Sequence, residues 1–90
     1  MSERIHAWVI DDDRAIRWVL ERALKQAEID VTAFDHAGSA LKMLNNGQDG
    51  TRPDVIITDV RMPGMDGIKL LEHIKSREPN LPVIIMTAHS

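Results

Sequence analysis

Short apolar segments alternate along the whole chain with segments of helical periodicity, and this alternation limits the possible folds more than any other feature. The apolar segments are residues 5–10, 31–34, 55–58 and 83–87, each too short for a typical helix. Between them, apolar residues recur three and four positions apart, the spacing of one helical face. The order β-α-β-α-β-α-β predicts parallel strands, right-handed crossovers and helices on both faces of the sheet. We therefore expect one α/β domain from these 90 residues.

The first predicted helix runs from Arg14 to Ala27. Trp18 falls on its polar side and is expected to lie in solvent. The residues that share its apolar face are Ile16, Val19, Leu20, Ala23, Leu24 and Ala27.

Two further helices are predicted, and each begins beside a capping residue. Asp35 or His36 opens the second helix, and the Gly- and Asn-rich residues 45–52 form the loop after it. Asp66 stands at the N-cap position of the third helix. The apolar positions are Ala37, Ala40, Leu41 and Leu44 in the second helix, and Ile68, Leu71 and Ile74 in the third.

Asp59 ends the third predicted strand and is followed by a turn that contains Pro63 and Gly64. The strand before it is a continuous apolar and β-branched run, typical of a parallel strand buried on both faces. In open α/β sheets, ligands bind at the carboxyl ends of the strands. Asp59 is therefore a candidate functional residue, although a carboxylate at this position is often only a cap or turn residue.

A second acidic group, Asp11, Asp12 and Asp13, follows the first strand and is expected at the same end of the sheet as Asp59. Ionised carboxylates about 5 Å apart repel by roughly 3 kcal/mol per pair at an effective dielectric constant near 20. Such a cluster either takes up protons or binds a cation, and oxygen ligands with no Cys favour Mg²⁺. A cation that offsets the charge of a carboxylate nucleophile makes phosphoryl transfer plausible, with Thr87 at the end of the fourth strand as a hydroxyl donor to a phosphoryl oxygen.

Composition excludes several classes of function. There is no cysteine, which removes disulfides, thiolate chemistry and Cys-ligated metals. No apolar run reaches the length of a membrane span, and the N-terminal residues lack the pattern of a signal peptide. The formal charge of −3 without a basic cluster predicts no direct contact with nucleic acid.

Three motifs, in matching order and spacing, resemble the receiver domains of two-component response regulators. They are residues 9–13, 59–67 and 81–89. Within that family, residues 16–24 and 86–90 are similar to the nitrogen regulators. The resemblance implies a doubly wound parallel sheet of the flavodoxin or CheY type, with strand order 2-1-3-4, in a cytoplasmic protein.

The same resemblance implies the role of each acidic residue. Asp59 would accept a phosphoryl group from a phosphohistidine on a sensor histidine kinase. Asp12 and Asp59 would ligate Mg²⁺ with the backbone carbonyl of Arg61, and Asp11 would act mostly through water. Asp13 would cap the first helix, and Thr87 would be the hydroxyl residue that moves toward phosphorylated Asp59. The domain would be regulatory rather than an enzyme, apart from its own phosphorylation and dephosphorylation.

Receiver domains have five strands and five helices, whereas this sequence reaches only the fourth strand. We therefore expect residues 1–90 to be the N-terminal part of a receiver, without the last strand, the last two helices, the family's lysine and its aromatic switch residue. The resemblance implies downstream effector domains, an ATPase that acts on sigma-54 polymerase and a helix-turn-helix domain. The open edge of the fourth strand predicts self-association or marginal stability.

Two alternatives stay open at this point. The chain could use the receiver fold only as an interaction or structural module. Alternatively, Asp11 and Asp13 fit the D-x-D motif of haloacid-dehalogenase-type phosphatases, with residues 83–87 as their strand that ends in Ser or Thr. That second alternative leaves the Asp59 turn without a role.

Overall fold

The computed structural model describes residues 4–46, 52–60 and 67–86. Strands and helices alternate in the predicted order. The elements are β1 (His6–Ile10), α1 (Arg14–Gln26), β2 (Asp30–Phe34), α2 (Ala37–Asn46), β3 (Val55–Asp59), α3 (Gly67–Arg77) and β4 (Val83–Met86).

The four described strands form one parallel sheet in the order β2-β1-β3-β4, as predicted. Ile10 is in register with Phe34 of β2 and with Thr58 of β3. The carboxyl ends of the central strands therefore lie side by side. This alignment places the residues that follow β1 next to the last residue of β3.

One face of the sheet carries the main hydrophobic core, beneath α2 and α3. Trp8, Ile10 and Ile56 are almost fully buried there, and Trp8 meets Phe34 edge to face at 4.9 Å between ring centroids. The helices contribute Ala37, Ala40, Leu44, Leu70 and Ile74. Because strand side chains alternate between faces, Ala7 and Val9 point the other way, toward α1.

The apolar face predicted for α1 is less buried than its spacing suggests. No residue of α1 is fully buried, and Ile16 and Val19 are 41% and 55% exposed. The physical reason is that, among the described residues, α1 packs mainly against β1 and β2, and no described helix makes an extensive contact with it. Trp18 is exposed as predicted, and the Arg22 guanidinium lies 5.0 Å from the centre of its ring.

The predicted buried face of α3 was partly wrong. Gly67, Leu70 and Ile74 face the core, whereas Ile68 is half exposed and Leu71 is only partly buried. Both sets of residues have helical spacing, so the sequence pattern alone could not choose between two adjacent stripes.

The remaining differences concern the ends of elements. Helix α2 continues to Asn46, so the loop begins later than position 45. His36 Nδ1 accepts a hydrogen bond from the Ser39 amide at 3.2 Å, an N-cap arrangement that confirms one of the two predicted capping residues. Asp66, predicted to cap α3, lies outside the described residues. None of the described helices has the length and apolar character needed to cross a bilayer.

Candidate metal centre

The acidic residues gather where β1 and β3 end. Asp59 is the last residue of β3, and Asp11 directly follows β1, the adjacent parallel strand. The Asp11 amide donates to the Phe34 carbonyl of β2 at 3.1 Å, which continues the ladder of β1 by one residue. The sheet therefore fixes the backbone positions of both carboxylates.

The side chains of Asp11, Asp12 and Asp59 converge. Each offers a carboxylate oxygen, and these oxygens all lie within 4.8 Å of one another. Asp11 is 3% exposed and Asp59 is 8% exposed, whereas Asp12 is on the surface. At this separation two buried ionised carboxylates repel by roughly 3 kcal/mol at an effective dielectric constant near 20, and solvent screens the repulsion of an exposed one such as Asp12.

Burial raises the pKa of Asp11 above its ordinary value of 3.8. The hydrogen bond from the Asp13 amide opposes this rise, and the charges of Asp59, Asp12 and Asp13 add to it. The cause is physical: desolvation and like charges both penalise the ionised form. A bound cation would remove the repulsive part of this penalty.

Asp13 follows the cluster in sequence, but its carboxylate caps helix α1. Its Oδ1 accepts hydrogen bonds from the amides of Ala15 at 2.9 Å and Ile16 at 3.3 Å, at the start of α1. Its own amide donates to Asp11 Oδ1 at 2.8 Å. The N-cap predicted for Asp13 is therefore present.

Two residues that sequence reasoning missed support the backbone of Asp59 and of Val60, the residue after it. The buried Thr58 hydroxyl donates to the Asp59 carbonyl at 3.1 Å. The Gly67 amide donates to the Val60 carbonyl at 2.8 Å. The glycine of the turn motif was the available signal for this contact, whereas the threonine reads as an ordinary strand residue.

The donor set fits a hard divalent cation. Mg²⁺ commonly takes one or two protein carboxylates and completes its shell with water or phosphate oxygens. Among the described residues, neither Asp11 nor Asp12 forms an ion pair with a lysine or arginine side chain. A cation at this position would balance charge that these two residues leave uncompensated.

Arg61 and Thr87 lie outside the described residues. The carbonyl ligand assigned to Arg61 and the hydroxyl role assigned to Thr87 stay predictions. The structure brings together Asp11, Asp12 and Asp59 of the predicted site.

Comparisons with known proteins agree with this geometry. The family model of the response regulator receiver domain matches residues 7–90. The DNA-binding transcriptional regulator NtrC of Escherichia coli strain K12 is 55% identical over 83 residues, which are 92% of this chain and 17% of that protein. The chain thus spans about a sixth of the length of such curated relatives.

Solved structures show the same relationship. The apo receiver domain of nitrogen regulatory protein C has a TM-score of 0.83 at 53% identity, covering 99% of this chain and 68% of that one. The response regulator TrrA from Thermotoga maritima, solved in complex with Mg²⁺–BeF, has a TM-score of 0.85 at 27% identity, covering 96% of this chain and 71% of that one. The chain belongs to the response regulator receiver domain family and is similar to the receivers of NtrC proteins.

Proposed function

We propose that this chain is a phosphoacceptor in which Asp59 receives a phosphoryl group with the help of Mg²⁺ held by Asp11, Asp12 and Asp59. The observation that carries the proposal is the convergence of these three carboxylates at the ends of β1 and β3. The relative TrrA, which was solved with Mg²⁺–BeF, supports the same ligand chemistry here.

The reaction needs positioning and charge neutralisation more than covalent chemistry from the protein. An Asp59 carboxylate oxygen forms a bond to phosphorus, the bond from phosphorus to the donor's imidazole nitrogen breaks, and the leaving imidazole takes up a proton. When bound, Mg²⁺ would supply positive charge for the phosphoryl oxygens. The sheet and the hydrogen bond from the Thr58 hydroxyl to the Asp59 carbonyl hold the Asp59 backbone, and so fix the position from which its side chain would react.

We also propose a phosphoryl donor for this reaction and the domains that respond to it. A phosphohistidine on a sensor kinase in the cytoplasm would be the donor. Effector domains elsewhere in the parent protein, of the sigma-54-dependent kind, would respond to the phosphorylated state. Residues 1–90 would then be the N-terminal part of the receiver.

The alternative of a haloacid-dehalogenase-type phosphatase receives no support from the described residues. That chemistry needs Asp13 as an acid, but Asp13 Oδ1 is engaged with two amides of α1. No specific observation favours an interaction module without phosphorylation, although the same test addresses it.

The test uses beryllofluoride, which imitates a phosphoryl group on a carboxylate. The proposal predicts a saturable rise in melting temperature that requires both Mg²⁺ and beryllofluoride and is lost in Asp59→Asn. Asp54→Asn is the matched control, because Asp54 is an exposed aspartate at the opposite end of β3. A chain that folds but shows no Mg²⁺-dependent response would contradict the proposal and favour the interaction module.

A further inference from the structure

Arg17 reaches back from α1 to the loop that carries the acidic cluster. Its Nη1 donates to the Asp11 carbonyl at 2.7 Å, a short bond for a charged donor. Its backbone amide donates to the Asp13 carbonyl at 3.1 Å. The side chain is partly buried, so the guanidinium group packs against the protein rather than extending into water.

The Asp11 carbonyl belongs to the peptide group that joins Asp11 to Asp12. On the other side of Asp11, the amide is held by the Phe34 carbonyl of β2. Arg17 and β2 together therefore fix both peptide groups of Asp11. The rotation of the peptide group between Asp11 and Asp12 sets the position from which the Asp12 side chain extends.

The direction of the Asp12 side chain depends on this backbone more than the directions of the Asp11 and Asp13 side chains do. Its side chain is exposed and forms no hydrogen bond with another described residue, whereas Asp11 accepts from the Asp13 amide and Asp13 caps α1. The direction of the Asp12 carboxylate is thus set by its peptide group and by repulsion from Asp11 and Asp59. Repulsion alone would turn it away from the cluster.

We propose that Arg17 is a positioning residue for the metal centre: by holding the Asp11 carbonyl, it keeps the Asp12 carboxylate directed toward Asp11 and Asp59. This inference rests on the proposed function, because it concerns the same Mg²⁺ ligands. Arg17 was not among the site residues predicted from the sequence.

If Arg17 acted only through its charge, its removal would strengthen Mg²⁺ binding rather than weaken it. A guanidinium group close to a divalent cation repels it, so loss of the positive charge would tighten Mg²⁺ binding. Loss of a supporting hydrogen bond loosens a metal ligand, and such outer contacts typically change metal affinity by about 10-fold to 100-fold. The direction of the change therefore separates the two roles.

The experiment measures the Mg²⁺ dissociation constant by calorimetric titration for the unaltered chain, Arg17→Gln, Arg17→Lys and Arg14→Gln. Arg14 is the matched control because it is exposed, lies in the first turn of the same helix and has a side chain that forms no hydrogen bond or ion pair with another described residue. Arg17→Gln and Arg14→Gln change the net charge equally. Circular dichroism checks that each variant is folded.

The inference predicts about 10-fold weaker Mg²⁺ binding in Arg17→Gln, partial recovery in Arg17→Lys, and equal or tighter binding in Arg14→Gln. A second readout needs no metal: amide resonances of Asp12 and Asp13 should shift, and exchange at the Asp13 amide should speed up, in Arg17→Gln but not in Arg14→Gln.

Equal or tighter Mg²⁺ binding in Arg17→Gln, with unchanged resonances, would overturn the inference and leave the proposed function intact. Failure of the unaltered chain to bind Mg²⁺ would overturn both. The two failures are therefore distinguishable in one set of titrations.

Discussion

Gly67 lies directly against the backbone of Asp59: a Cβ at position 67 would come within 2.4 Å of the Asp59 carbonyl oxygen and 3.0 Å of the Val60 Cα. These are backbone atoms at the end of β3, so they cannot move aside as a flexible side chain would. The first residue of α3 therefore has to be glycine for the candidate phosphoacceptor to keep its place.

We expect Gly67→Ala to reduce the free energy of unfolding by about 1–3 kcal/mol, because the added methyl group overpacks a rigid contact. It should also weaken Mg²⁺ binding, since the end of β3 must shift. Chemical denaturation and Mg²⁺ titration measure the two effects.

Gly38→Ala provides the comparison for this prediction. Gly38 lies in the first turn of α2, and a Cβ there would meet only the imidazole of His36, at 3.2 Å. Alanine is the better helix former by about 1 kcal/mol, so this change should cost little or add stability. Equal losses at the two glycines would show that helix-start effects, rather than contact with Asp59, dominate.

Asp12 and Asp13 are adjacent but should have separable roles. Asp13→Ala removes the N-cap of α1 and should cost about 1 kcal/mol of stability with little change in Mg²⁺ affinity. Asp12→Ala removes an exposed carboxylate with no structural hydrogen bond, so stability should stay within about 0.5 kcal/mol while Mg²⁺ affinity falls by at least about tenfold. Denaturation and titration of both variants check this, and the reverse pattern would exchange the two assignments.

Asp11 should destabilise the metal-free protein at neutral pH. Its pKa in the folded state is raised above 3.8 by burial and by neighbouring carboxylates. At a pH between the two pKa values, the folded state therefore binds more protons than the unfolded chain. The stabilising contribution of protonated Asp11 is present below pH 3.8 and is lost as pH rises through its folded-state pKa.

Asp11→Asn should consequently stabilise the metal-free protein at pH 7, because a neutral amide avoids both the desolvation of a buried charge and the repulsion from neighbouring carboxylates. The asparagine carbonyl can still accept the hydrogen bond from the Asp13 amide, so the loop is kept. The gain should disappear at acid pH, and the variant should gain less stability from added Mg²⁺. Thermal melts across pH, with and without Mg²⁺, test this, and a variant less stable than the parent at pH 7 would argue against it.

The sequence predicted those parts of the structure that depend on strong local patterns. Strand β3 was predictable because a continuous apolar run ends in a carboxylate, and Asp13 because a capping residue precedes a helical pattern. Strand order 2-1-3-4 came from the family resemblance and was confirmed by the pairing of β1 with both β2 and β3.

The parts that were missed depend on contacts between distant segments. Periodicity could not show that Leu70 rather than Ile68 faces the core, because both lie on helical stripes. It also could not show that Arg17 bonds to a carbonyl six residues before it, since that requires the angle between β1 and α1. The half-exposed face of α1 likewise depends on which elements pack beside it.

The most direct test of the central claim is to locate the phosphoryl group after treatment with acetyl phosphate and Mg²⁺. We predict phosphate on the peptide that contains Asp59, dependent on Mg²⁺ and absent from Asp59→Asn. Phosphate on Asp11, or equal labelling of Asp59 without Mg²⁺, would contradict the account.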